Sequence, residues 1–198
     1  MRHLPNIICL ARIALIWPIV VALWSREFDL AVLLFLVAAV SDGLDGYLAK
    51  RFGWTSDFGK FIDPLADKLL LVAVFVTATW MGIVPWWLTA AAVARDVMIG
   101  LGALIFRLWF GPLKGRPTII SKVNTLLQLG YLLGVMVQSA FGLLPQEILD
   151  ALAVITFVTI IASGCDYVYA FTRRAWDLPA PRSSKMAPPP PSGGTASR

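Results

Sequence analysis

Residues 41–68 read SDGLDGYLAKRFGWTSDFGKFIDPLADK, placing five aspartates in one short stretch of a chain that is otherwise mostly apolar. Four of them form two pairs, Asp42 with Asp45 and Asp63 with Asp67, each flush against an apolar run. On a helix, intervals of three and four put both members of a pair on one face. Joined by a short loop, the two helices fold antiparallel and can turn these faces toward each other. Carboxylates gathered so closely repel unless they are protonated or matched by cations. Hard, all-oxygen ligation favours Mg²⁺, Mn²⁺ or Ca²⁺, and four acids can hold two such ions. Gly43, Gly46 and Gly59 leave room for close approach of a substrate or a backbone. The plainer alternative is a pair of solvated helix ends with a charged loop between them. Asp57 is read that way, and Ser56 can serve simply as a helix N-cap.

The rest of the chain identifies its solvent. Of its 198 residues 58% are hydrophobic and 15% charged, and the mean hydropathy is +0.75. A soluble domain carries about 25% charged residues, so this composition belongs in lipid. A crossing helix needs about 20 mostly apolar residues, and six such stretches can be drawn: 4–24, 30–49, 61–80, 85–106, 120–141 and 148–171. WMGIVPWW, residues 80–87, marks a tight turn through Gly82 and Pro85. Arg2, Lys50, Arg51, Lys60, Arg107, Lys114, Arg116, Arg173 and Arg174 all fall on one side of these spans. By the positive-inside bias that side is cytoplasmic, as are both termini. The fold class expected is therefore an all-α integral membrane protein of six transmembrane helices, residues 1–174, with a disordered cytoplasmic tail over 175–198. The net charge of +5 suits anionic headgroups. Nucleic acid is not expected as a partner, because the basic residues edge the apolar runs and form no single patch. Cys9 and Cys165 lie inside apolar stretches and read as buried thiols. No small-residue cleavage site follows residues 7–23, so a cleaved signal peptide is not expected.

The aspartate stretch resembles the signature of the CDP-alcohol phosphatidyltransferase family, D-x2-D-G-x2-A-R-x8-G-x3-D-x3-D. Here it is carried by Asp42, Asp45, Gly46, Ala49, Lys50, Gly59, Asp63 and Asp67. Every interval matches, and Lys50 stands where the family usually has arginine, keeping the charge without the bidentate fork. The resemblance implies the family's six-helix fold. It also implies a site for two divalent cations, Mg²⁺ or Mn²⁺, held by Asp42, Asp45 and Asp63. Asp67 completes that site and acts as general base. By the same resemblance Gly46, Lys50 and Ser56 line the CDP-diacylglycerol site. LPNIICLAR, residues 4–12, is similar to the family's P-N-x2-T-x2-R element, which implies that Asn6 touches the nucleotide. Asn6 also reads as a helix-start residue. The chemistry stands on its own physics: displacing CMP from a pyrophosphate needs positive charge on the phosphates, an aligned hydroxyl and a base for its proton.

The second half bears on the acceptor. Arg95 and Asp96 lie deep in an apolar run, where charge marks function or mutual neutralisation. Arg116, Lys122, Asn124 and Gln128 are expected at the cytoplasmic mouth, the last two on one helical face; interfacial snorkelling and interhelix hydrogen bonds are the plainer reading. Asp166 is expected to pair with Arg95 or a lysine. ARDVM and PTIISKVNT are similar to the CMP-forming cardiolipin synthase branch, whereas phosphatidylglycerophosphate synthases tend to carry a second basic residue where Asn124 stands. That resemblance implies phosphatidylglycerol as acceptor, met by Arg95, Lys122 and Asn124. Glycerol 3-phosphate is the alternative acceptor, and a homodimer is left open. The enzyme is expected in a bacterial-type inner membrane, with its site at the cytoplasmic face. A cation transporter is the competing class, but transporters bind ions near the midplane, and these aspartates lie at one face.

Overall fold

The structure, a computed structural model, describes the backbone of residues 4–52, 59–110 and 119–177, and the side chains of residues 13–41, 68–102, 104–105, 119–170 and 172–173. Among these residues the chain forms six helices: α1 (Leu4–Trp24), α2 (Phe28–Phe52), α3 (Gly59–Trp80), α4 (Trp86–Phe110), α5 (Ile119–Phe141) and α6 (Gln146–Asp177). Each expected apolar stretch is one helix. The ends drawn from hydropathy fall short where α2, α4 and α6 continue through Lys50, Arg51, Arg107, Arg173 and Arg174. These are good helix formers, and leaving hydrocarbon gives them no reason to uncoil. Residues 175–177 thus close α6, and the rest of the expected tail lies outside the described residues.

Two of the turns share one construction. After α3, Gly82 adopts φ 77°; its N–H donates to the Thr79 carbonyl at 2.9 Å, and the Ile83 N–H to the Ala78 carbonyl at 3.0 Å. This is a Schellman closure, which favours glycine at the left-handed position. After α1 the same pair of bonds forms around Arg26 (φ 60°), to Leu23 at 2.8 Å and from Glu27 to Ala22 at 2.9 Å. After α5, the Gln138 side-chain oxygen accepts the Leu144 N–H at 2.8 Å. Short turns of this kind make neighbours of α1 and α2, of α3 and α4, and of α5 and α6.

Packing closes a ring in the order α1, α2, α5, α6, α4, α3, crossed by a smaller contact between α3 and α5. Among the described residues α2 and α3 do not pack directly on each other; α1 contacts both. The core faces follow helical spacing, as with Ala31, Phe35 and Ala38 on α2 and Leu71, Val74, Phe75 and Ala78 on α3. The outer surface is equally apolar: Trp17, Leu33, Trp80, Trp86 and Leu126 are each more than half exposed. An apolar outer surface of this extent marks a membrane or a protein interface. Among the described residues Ile119–Phe141 and Gln146–Ala170 are each long and apolar enough to cross a membrane, and shorter apolar segments lie in α1, α2 and α3. One reading is corrected: Cys165 is exposed on α6, not buried. When both faces of a helix are apolar, the run of residues carries no sign of which one points inward.

Candidate active site

Asp42 and Asp45 occupy α2, and Asp63 and Asp67 occupy α3. All four lie within helical backbone. Asp42 and Asp45 precede the end of α2 by about three and two turns, and Asp63 and Asp67 follow the start of α3 by about one and two. The intervals of three and four therefore act on helices, and each pair shares a face. Gly46 and Lys50 follow on α2, and Asn6 is the third residue of α1. The side chains of these residues, and Ser56 altogether, lie outside the described residues. Among the described side chains no three His, Cys, Asp or Glu residues gather as a metal site.

On α3 the described side chains begin at Lys68, immediately after Asp67, and there an ionic network starts. Lys68 donates to Asp96 Oδ1 on α4. The same oxygen accepts Arg95 Nη1 at 2.7 Å. Arg95 Nη2 lies 2.7 Å from the hydroxyl of Ser121 on α5 and 2.7 Å from that of Ser163 on α6. Arg95 is 4% exposed, so its charge is held almost dry and depends on these partners. Mutual neutralisation of Arg95 by Asp96 is realised, and it joins four helices: α3, α4, α5 and α6. Ser121 and Ser163 were missed in the sequence. Their signal was available, as hydroxyls interrupting apolar runs one turn before Asn124 and Asp166. The expected pairing of Asp166 with Arg95 does not form; Asp166 Oδ2 is buried with no hydrogen-bond partner among the described residues.

Along α5 the face that carries Ser121 continues as Asn124, then Gln128. Asn124 and Gln128 are 0% and 1% exposed. Thr159 of α6 lies 3.1 Å from Asn124 Oδ1 and 2.8 Å from the Thr156 carbonyl, with one proton to share between them. Asn124 Nδ2, Gln128 Nε2 and Thr156 Oγ1 remain buried without partners. Unmet donors in a dry seam are costly, of order 1–3 kcal/mol each. Lys122 points elsewhere: it is exposed, about 200° around α5 from Asn124. The structure thus brings Arg95 to the first turn of α5 and sets Asn124 one turn deeper, while Lys122 stands apart on the outer surface.

Comparison with known proteins bears on this arrangement. The family model for CDP-alcohol phosphatidyltransferases matches residues 2–164. A probable CMP-forming cardiolipin synthase of Drosophila melanogaster is 31% identical, over 83% of this chain and 56% of its own length. The human CMP-forming cardiolipin synthase is 29% identical, over 84% of this chain and 60% of its own length. The CDP-diacylglycerol–glycerol-3-phosphate 3-phosphatidyltransferase of Bacillus subtilis is 33% identical, over 84% of this chain and 94% of its own length. The chain therefore spans a little over half the length of the animal synthases and nearly all of the bacterial transferase. With a family match reaching from α1 into α6, the chain belongs to the CDP-alcohol phosphatidyltransferase family.

Proposed function

We propose that the chain transfers a phosphatidyl group from CDP-diacylglycerol to phosphatidylglycerol, giving cardiolipin and CMP. In this reading all six helices cross a bacterial-type inner membrane, both termini are cytoplasmic, and the aspartates lie just inside the cytoplasmic face. Four carboxylates, two on each of two successive helices, are a hard oxygen donor set that fits Mg²⁺ or Mn²⁺. Asp42, Asp45, Asp63 and Asp67 would hold two such ions, which when bound supply positive charge to the pyrophosphate. Lys50 and the bare backbone at Gly46 meet the phosphates, with Ser56 beside them and Asn6 at the nucleotide. Asp67 takes the proton from the terminal hydroxyl of the acceptor glycerol as its oxygen attacks the phosphorus and CMP leaves.

One observation carries the choice of acceptor. Arg95 is already engaged by Asp96 and two hydroxyls, and the next polar position inward is Asn124, a neutral amide whose Nδ2 donor is unmet. A phosphodiester with a neutral glycerol head suits that setting better than the dianionic monoester of glycerol 3-phosphate. The second reading, phosphatidylglycerophosphate synthesis, is favoured by the Bacillus subtilis relative, which this chain matches over nearly its whole length. Purified full-length protein in vesicles, given CDP-diacylglycerol with each acceptor separately, tests the choice. Cardiolipin with CMP is expected from phosphatidylglycerol. Phosphatidylglycerophosphate as the sole product would make the second reading correct.

Asn124→Leu sharpens this test. It removes an unmet buried donor and leaves the Thr159 hydroxyl its bond to the Thr156 carbonyl, so stability should change by less than about 1 kcal/mol. Asn124 is fully enclosed between α5 and α6, so on this reading the glycerol head reaches it by parting that seam. Turnover of phosphatidylglycerol should fall about tenfold, the loss expected for one hydrogen bond to a substrate hydroxyl. An unchanged rate in a stable variant would make Asn124 a packing residue only.

A further inference from the structure

Asp96 serves two cations with one oxygen: its Oδ1 accepts Arg95 Nη1 at 2.7 Å and also accepts from Lys68. The buried guanidinium already balances that carboxylate, so neutrality does not require Lys68. With its side chain 38% exposed, Lys68 has the reach to keep its ammonium in water instead. A pair exposed to that degree also adds little stability. What the bond does supply is a fixed angle. Arg95 and Asp96 are neighbours on α4 and so point about 100° apart. Arg95 is clamped by Ser121 of α5 and Ser163 of α6, while Asp96 faces α3. Lys68 therefore ties α3 to a point that three other helices hold still.

Lys68 follows Asp67 directly, about 100° around α3 from it. Packing is a weaker guide to the angle of this helix. Its outer side is apolar too, with Leu69 and Val76 45% and 46% exposed, and lipid attracts such a face as well as protein does. Among the described residues α2, which carries the other two aspartates, does not pack on α3. Yet the angle matters. A side-chain tip about 5 Å from the helix axis moves about 1 Å when the helix turns by roughly 10°, and a 1 Å misplacement can cost about a hundredfold in rate. We propose that Asp96 is a positioning residue: through Lys68 it sets the rotation of α3, and with it the facing of Asp63 and Asp67 toward Asp42 and Asp45. This rests on the metal reading above and not on the choice of acceptor.

The test is Lys68→Met in the full chain, which leaves the Arg95–Asp96 pair in place. Mn²⁺ binding, read from the paramagnetic resonance of the free ion, gives two roles of Lys68 opposite signs. By charge alone, removing a cation one residue from Asp67 tightens the binding of another cation. Losing the setting of α3 weakens it, and the Mn²⁺ dissociation constant should rise about five- to tenfold. At saturating Mn²⁺, kcat should fall about tenfold or more with whichever acceptor the wild type turns over, while Tm moves by no more than about 2–4 °C. Lys68→Arg still reaches Asp96 and should restore both affinity and rate. In an Asp96→Asn background, where the tie is already lost, Lys68→Met should weaken Mn²⁺ binding no further. Binding that is unchanged or tighter in Lys68→Met would overturn the proposal, as would a further loss in the Asp96→Asn background. A wild-type protein that binds no Mn²⁺ would sink the metal reading itself, and this proposal with it.

Discussion

Asp67→Asn is expected to lower the transfer rate by about 10²- to 10⁴-fold, the contribution of a positioned general base. Asparagine keeps an oxygen at the same place on α3 but cannot take a proton. Binding of CDP-diacylglycerol should therefore survive while CMP release nearly stops. Asp45→Asn, three residues from its partner Asp42 on α2, should instead raise the Mg²⁺ concentration needed for half-maximal activity. Following CMP release and lipid binding on the same preparations separates the two effects. An Asp67→Asn protein that retains more than about a tenth of the wild-type rate would be outside the range for a base and would return Asp67 to a purely electrostatic role.

Asp96→Ala should destabilise the fold by about 3–5 kcal/mol, the usual penalty for stranding one member of a buried ion pair. Arg95 would keep Ser121 and Ser163, but two neutral hydroxyls do not balance a guanidinium that is 4% exposed. Lys68 would lose its contact with α4 at the same time. Unfolding in a mild detergent reads this as a large fall in Tm. Removing both charges, Arg95→Met with Asp96→Leu, should recover most of the loss, because apolar groups of similar volume need no partner. A single variant within about 1 kcal/mol of wild type would mean that the pair contributes as little as an exposed one.

The helices were legible in the sequence because apolar runs of about 20 residues stand out between polar breaks, and all six stretches became helices. Their ends were less legible, since Lys50 and Arg51 stop the hydropathy of α2 without stopping the helix. Inward faces were least legible. Cys165 illustrates why: in hydrocarbon both sides of α6 are apolar, so the amphipathic signal that marks a soluble core is missing. At the site, the intervals of the four aspartates and the Arg95–Asp96 dipeptide could be read directly, because charge in an apolar run stands out. Ser121 and Ser163 could not be paired with Arg95 from the sequence, since they lie 26 and 68 residues away from it in the chain. Choosing between acceptors is harder still, because it turns on a few contacts worth about 1–3 kcal/mol each, while the shared chemistry occupies the larger pattern.

The short turns after α1, α3 and α5 have a consequence for biogenesis. In the proposed six-span topology each ties two successive helices into a hairpin that would enter the bilayer as a unit. Once inside, hairpins feel no hydrophobic pull toward one another, since lipid tails are as apolar as their faces. Arg95 rides in on the second hairpin with its Nη2 donors unmet, and the hydroxyls that meet them, Ser121 and Ser163, arrive only on the third. In that topology the guanidinium is a latch that the third hairpin must close. The aspartate-bearing helices of the first two hairpins would be locked into register with the rest only once the third hairpin is in place.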